Sequence, residues 1–404
     1  MSKLFIENST LTAIGDAIRE KTGKTALIAP GSMPAEIKAI VSGGGGGEGD
    51  CNGLHVPEEA LVLTGEMQYR FAYNGWNWFI EECADKITSD RIMASYNMFF
   101  NSKNLVNIPL ELNFYASSSS NNKMDVMFSG CNKLVTLPTI NNAKPSTLKQ
   151  IFYQCFALKS IPDDWTDTWD WSYIDGQTSQ YNGDMSAMFQ QCVNLRNIPA
   201  WTFLHQNPYV GYSYATIYNG FDTCLVLERV EGIRLPRNVG WTSNAFNNTF
   251  KDCARLKSVT FALQEDGSPY VHNIKNQTID LSTAGFVPAS GTGASYWKTF
   301  VDKNDFPEEA VIDSYDKWAT YCGEDSLDKG SGNGYANNVK WSTFSRKAAK
   351  RLFATLPDVT GGSGNTIKLE YDAASELKSQ EAMKLLTEEE IAVAAARGWT
   401  VSLV

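Results

Sequence analysis

Residue types and motifs that indicate metal binding or catalysis are scarce in this 404-residue sequence. Its three histidines are His55, His205 and His272, and none lies at a metal-ligand spacing such as HxxxH. No two cysteines form a CxxC pair, and no GxSxG, P-loop or GxGxxG motif occurs. We therefore expect no metal ion, no cofactor and no active site of these classes.

Basic runs and long apolar runs are also missing. Thirty-five basic and forty-five acidic residues leave a net charge of -10, and no block of Lys or Arg could follow a phosphate backbone, so we expect no nucleic acid partner. No stretch reaches about 18 uninterrupted apolar residues, which predicts no membrane insertion. The first residues lack the apolar run of a secretory signal. We therefore expect folding in a cytoplasm, with the eight cysteines as reduced thiols.

A three-residue period of apolar side chains is the strongest signal that is present. The unit reads Phe-x-x-Cys-x-x-Leu-x-x-Ile, Leu or Val, and in its first four copies proline follows. The six copies begin at Phe99, Phe128, Phe152, Phe189, Phe221 and Phe250. The intervals between them are 29, 24, 37, 32 and 29 residues, which indicates a constant unit with loops of unequal length inserted.

One unit cannot cover its own apolar side, so consecutive units are expected to stack. We place Phe and Cys on a short helical turn and the Leu-x-x-Ile part on an extended segment. Ser102 replaces cysteine in the first copy, which favours a small buried spacer over a disulfide. The predicted repeat core includes Phe128, Cys131, Leu134, Phe152, Cys155, Leu158, Phe189, Cys192 and Leu195. This predicts an α/β fold, an irregular solenoid of short helical turns and strands.

The chain divides into four predicted regions. Residues 1–41 form a small helical module for attachment or oligomerisation, with Leu11, Ile14, Ile18, Ile37 and Ile40 as its apolar points; alternatively, the two helices pack on the body of the protein. Residues 42–50 form a glycine-rich linker. Residues 51–270 form the solenoid, entered through a hairpin-like segment at 65–87, and residues 271–404 form degenerate repeats and a cap.

Local signals in the last region predict two helices and three strands. The helices are expected in FSRKAAKRLFATLP and LTEEEIAVAAARGW, and Thr387 with Glu390 forms a capping box at the start of the second. The strands are expected in NIKNQTIDLST, NTIKLEYDA and TVSLV.

Two long insertions, residues 163–185 and 200–219, are rich in Trp and Tyr. Their rings could bind a receptor or glycan, or they could cover the small cores of the insertions themselves. The candidate binding residues are Trp165, Trp169, Trp171, Tyr173, Trp201, Tyr209, Tyr212 and Tyr214. The first insertion also contains five aspartates, Asp163, Asp164, Asp167, Asp170 and Asp175. They have three interpretations: a solvated loop, a ligand of a cation or glycan, or a catalytic pair of carboxyl groups.

The repeat unit resembles the BspA-like class of leucine-rich repeats over about residues 95–262, which implies an irregular leucine-rich-repeat solenoid. The segment LTAIGDAIREKTGKTALIAPGSMPAEIKAI is similar to the N-terminal segment of many structural and tail-associated proteins of phages that infect gut and other Gram-positive bacteria. NGWNWFIEECADKITSDRI and LTEEEIAVAAARGWTVSLV are similar to parts of the same phage proteins.

These resemblances imply a non-enzymatic bacteriophage structural protein of the fibre or tail-tip type, assembled in the host cytoplasm and carried on the virion. It would contact other virion proteins through its N-terminal module, could be a homotrimer, and would bind a host cell-surface protein or glycan. The alternatives are a head or collar decoration protein, a glycan depolymerase, and a bacterial surface adhesin.

Overall fold

Short strands make up most of the regular structure. This computed structural model describes residues 50–51, 54–55, 61–74, 76–115, 122–172, 174, 184–204, 217–235, 244–253, 255–284, 344, 346–369 and 386–404. The strands in chain order are β1 (Asp50–Cys51), β2 (Leu54–His55), β3 (Val62–Glu66), β4 (Thr88–Ala94), β5 (Glu111–Asn113), β6 (Asn122–Lys123), β7 (Thr139–Asn141), β8 (Pro145–Thr147), β9 (Arg229–Ile233), β10 (Ser258–Phe261), β11 (Thr278–Asp280), β12 (Thr366–Leu369) and β13 (Thr400–Leu403). The helices are α1 (Asn77–Glu82), α2 (Arg346–Thr355), α3 (Glu388–Ala395) and a 3₁₀ helix, Ala200–Phe203.

The predicted fold class, an α/β leucine-rich-repeat solenoid with short helical turns, is wrong. Among the described residues the strands form five separate two-stranded sheets and one three-stranded sheet, so no continuous sheet runs along the repeats. The pairs are β1-β2, β3-β4, β5-β7, β6-β8 and β9-β10, and the larger sheet has the order β11-β12-β13. The three α-helices of the described residues all lie outside the Phe-x-x-Cys segments.

Backbone conformation explains why the Phe-x-x-Cys segments are not helical. The residues two before and two after each repeat phenylalanine have φ between 51° and 77°, in the left-handed region. An α-helix of L-residues needs negative φ throughout, so a left-handed residue at every fourth position prevents it. The segments are instead chains of turns, in which the Cys155 N–H donates to the Phe152 carbonyl over 3.0 Å and the Leu158 N–H to the Cys155 carbonyl over 3.2 Å.

The turns nevertheless lie on one another, and their phenylalanine rings form a column. The ring series is Phe71, Phe99, Phe128, Phe152, Phe189, Phe221 and Phe250, with centroids of successive rings 5.4–6.2 Å apart and planes inclined by 4–23°. Each of the first six donates its backbone N–H to a carbonyl of the next turn, over 2.8–3.2 Å. This ring column is the centre of the hydrophobic core.

Phe71 extends the ring column by one turn that the sequence reading missed. It lies in the segment predicted as a hairpin-like entry, which instead contains the end of β3, a turn and α1. Its turn lacks the Cys and Leu of the later copies, so only the spacing to Phe99 could have revealed it. The Ser102 hydroxyl of the next turn donates to the Phe71 carbonyl over 2.6 Å, which ties the Phe71 turn to the column.

The elements predicted for the last region are confirmed. β11, β12 and β13 pair in parallel, α2 packs against β10 and α3, and the Phe261 N–H donates to Thr355 Oγ1 over 3.1 Å. The capping box of Thr387 and Glu390 begins α3, as predicted. Trp399 anchors the segment that follows, with its indole N–H donating to the Pro357 carbonyl over 3.0 Å.

Candidate recognition surface

Several predicted site residues lie outside the described residues, so those predictions remain untested. They are the attachment residues Leu11, Ile14, Ile18, Ile37 and Ile40 and the tyrosines Tyr173, Tyr209, Tyr212 and Tyr214. The whole module 1–41 and nearly all of the linker 42–50 also lie outside the described residues.

The nine predicted repeat-core residues are all buried. They are Phe128, Cys131, Leu134, Phe152, Cys155, Leu158, Phe189, Cys192 and Leu195. The cysteines also make a polar contact that the sequence reading did not anticipate. Each of the five donates its thiol to the carbonyl of the phenylalanine one turn earlier, over 3.0–3.2 Å, as Cys192 does to Phe152. The position therefore needs a side chain that is small enough to be buried and that carries a hydrogen-bond donor, and Cys and Ser meet both requirements.

Burial also removes reactivity from these thiols. Loss of solvation raises the pKa of Cys131 to about 12 and raises that of Cys192 further. A thiol that stays protonated is a poor nucleophile and a poor metal ligand, so this column of sulfur atoms is structural. Cys83 is disulfide-bonded, which corrects the expectation that every cysteine is reduced.

The four described tryptophans of the insertions form a buried cluster. Trp165, Trp169, Trp171 and Trp201 are only 3–9% exposed, with centroids 5.0–6.5 Å apart. The Trp165 and Trp169 indole N–H groups donate to the Pro138 and Ile140 carbonyls over 2.9 and 3.0 Å. Of the two interpretations of these four rings, their burial and contacts favour the second, in which they form the core of the insertions.

Two aspartates of the first insertion, Asp163 and Asp170, hold the local fold together, and Asp175 lies outside the described residues. Asp163 accepts a hydrogen bond from the Ala200 N–H over 2.7 Å and so caps the 3₁₀ helix. Asp170 accepts from Ser172 and pairs with Lys144 at 3.1 Å; these hydrogen bonds, that with Ser172 above all, lower its pKa. Within the described ranges no group of three or more His, Cys, Asp or Glu side chains could hold a metal ion.

Exposed aromatic side chains occur instead on the first two turns of the ring column. Tyr69 is 44% exposed, Tyr73 and Trp76 are each 38% exposed, and Tyr96 and Phe100 are partly exposed. We call these five residues the aromatic surface. The sequence analysis did not predict this surface, because the aromatic residues of the longer insertions gave a stronger signal.

Two backbone hydrogen bonds arrange the aromatic surface in rows. The Tyr69 N–H donates to the Tyr96 carbonyl over 3.4 Å, and the Tyr73 N–H donates to the Phe100 carbonyl over 2.6 Å. Each pair meets edge to face, with centroids 6.0 and 5.7 Å apart. Trp76 packs its edge on the buried ring of Phe71, which fixes it beside the rows. Flat apolar faces with polar edges are thus held in place at the protein surface, the chemistry of molecular recognition.

Comparison with protein-family models, with curated proteins and with solved structures finds no match to this chain. None of the helices in the described ranges is long and apolar enough to cross a lipid bilayer.

Proposed function

We propose that this chain is a non-enzymatic bacteriophage virion protein of the fibre or tail-tip type, and that it recognises the surface of the host cell. The observation that carries the proposal is the aromatic surface, because exposed aromatic rings cluster there on a rigid support. Soluble proteins rarely leave several large aromatic side chains exposed together without a binding role.

The modular order of the chain supports the same function. A segment that resembles phage attachment modules comes first, five consecutive glycines follow, and the turns that carry the aromatic surface come after them. The linker that the sequence predicts at residues 42–50 would let the body of the protein orient toward a host while residues 1–41 stay bound to other virion proteins. A homotrimer would form through that same module.

The partners of Asp163 and Asp170 speak against these two residues as the carboxyl pair of a depolymerase. A glycoside hydrolase needs two carboxyl groups that face one sugar ring, with one of them available as a proton donor. Asp163 is committed to the 3₁₀ helix and Asp170 to Lys144 and Ser172, where hydrogen bonds lower the pKa of Asp170 and keep it ionised. Both carboxylates therefore have structural partners.

Two measurements test the proposal. Immunogold electron microscopy of purified virions should place antibodies against residues 51–404 at a fibre or tail tip; label on the head or collar would contradict it and favour the decoration alternative. The purified full-length chain, labelled with a fluorophore, should also bind host cells and slow virion adsorption. Binding to no cell type that the phage infects would remove host recognition.

A further inference from the structure

We infer that the aromatic surface binds a carbohydrate chain of the host envelope. This inference rests on the proposed function and adds the chemical class of the ligand. It depends on the backbone conformation at Tyr69 and Tyr73, on the exposed groups beside the rings, and on the shape of the surface.

The two tyrosines occupy positions that the backbone disfavours for them. Tyr69 has φ 57° and Tyr73 has φ 68°, in the left-handed region, where only Gly, Asn and Asp are commonly tolerated. The corresponding residues of the later turns are mostly small or amide-bearing: Asn97, Asn101, Val126, Gly130, Gln150, Gln154, Ala187, Gln191, Asn219, Thr223, Asn248 and Asp252. Tyrosine occurs at these positions in the first turn alone.

Packing accounts for only part of this choice. The Tyr69 and Tyr73 rings are 44% and 38% exposed and each makes one edge-to-face contact, so each contributes less burial than a core ring, while its backbone conformation costs energy. Strain that packing offsets only in part points to a functional constraint. In the turn of Phe128 the residues equivalent to Tyr96 and Phe100 are Asp125 and Ser129, so the two rows end after two turns.

The groups beside the rings favour a carbohydrate over a protein partner. Gln68 and Asn74 are exposed next to Tyr69 and Tyr73, and the Gln68 amide donates to Glu66 over 3.1 Å. Side-chain amides and carboxylates both pair with hydroxyl groups, and the rings offer flat faces to the C–H side of a sugar ring. A protein hot spot needs a deep desolvated pocket, whereas Tyr69, Tyr73 and Trp76 keep 38–44% of their surface exposed beside polar side chains.

A double substitution separates binding from folding. Asparagine is well tolerated at left-handed positions, so Tyr69→Asn/Tyr73→Asn should leave Tm unchanged or raised, while binding weakens at least tenfold. The probe is polysaccharide purified from protease-digested host cells, measured by biolayer interferometry with the full-length chain. Tyr115→Asn is the matched control, because Tyr115 is 40% exposed and lies outside the aromatic surface, against Arg91. It should retain wild-type binding.

The remaining outcomes separate this inference from the proposed function. If the wild-type chain binds intact cells but not the polysaccharide, and protease treatment of the cells abolishes binding, the ligand is a protein and the carbohydrate inference is overturned, while host recognition stands. If the double variant binds polysaccharide as the wild type does, the aromatic surface is not the site. If the wild-type chain binds neither cells nor polysaccharide, the proposed function itself is overturned.

Discussion

Phe189 lies at the centre of the ring column, with another phenyl ring on each face. Its centroid is 5.8 Å from that of Phe152 and 6.0 Å from that of Phe221, with planes inclined by 6° and 9°. It is 1% exposed, and a cavity of about 10 Å³ already lies beside it. Phe189→Ala therefore removes a fully buried ring that already borders a small cavity.

The magnitude follows from these contacts. Replacing a buried Phe by Ala costs about 3–5 kcal/mol of unfolding free energy. Each stacked aromatic pair adds about 0.5–1.5 kcal/mol beyond the buried area, and two such pairs are lost here. The existing cavity would merge with the new one, so we expect the upper part of the range, about 4–5 kcal/mol. That loss is comparable with the whole stability of a marginal protein.

Urea unfolding, followed by tryptophan fluorescence and circular dichroism, measures the effect. The Trp165 ring lies 5.6 Å from that of Phe152, so its emission reports on the neighbouring turn. Phe189→Leu is the control, because it keeps most of the volume and should cost less than half as much. A loss below about 1 kcal/mol for Phe189→Ala would refute the stacking argument. A smaller urea slope would show that the turns unfold in parts.

Three further predictions concern other features of the column and of the last region. Cys192→Ser keeps a hydrogen-bond donor for the Phe152 carbonyl, so it should cost about 1 kcal/mol less stability than Cys192→Val, measured by urea unfolding. The reverse order would mean that the thiol serves only as apolar volume. Val126→Asn should raise stability by about 1 kcal/mol, because a β-branched residue is strained at φ 61°; a lower urea midpoint would show that the side chain packs usefully. Burial acts to raise the pKa of Glu390, but hydrogen bonds from Thr387, Lys350 and Arg346 outweigh it and lower the pKa from 4.5 to about 2. A lowered carboxyl pKa stabilises the fold above about pH 4.5, and this contribution is lost as the pH falls toward 2. Thermal unfolding between pH 6 and 2 should therefore depend less on pH in Glu390→Gln, and an unchanged profile would contradict the assignment.

The predicted elements of the last region were correct because their signals are local. The capping box of Thr387 and Glu390 lies within one helical turn, and the strand in TVSLV needs only its alternation and the glycine before it. The helical turns predicted within the repeats were wrong for a related reason. A period of three suits hydrogen-bonded turns as well as a helical turn, and residues such as Val126 and Gln154 carry no signal for positive φ.

The candidate binding residues show the same difference between local signals and long-range contacts. The aromatic content of the insertions was visible in the sequence, but whether a ring is exposed depends on residues far along the chain. Trp165 and Trp169 are buried because the carbonyls of Pro138 and Ile140 lie within reach of their indole N–H groups. Tyr69 lies on the first turn of the ring column and stays 44% exposed, although it contacts Tyr96 of the next turn.

By itself, the sequence determined which side chains of the repeat unit face the core. A period of three that repeats along the chain leaves each Phe, Cys and Leu needing a like neighbour, and stacked units supply one. The tertiary structure decided how the backbone achieves this and which rings remain at the surface. The thiol-to-carbonyl hydrogen bonds and the burial of the tryptophans arise only when residues 27 to 40 positions apart meet. Contacts of that range depend on the packed chain, and no local pattern of residues encodes them.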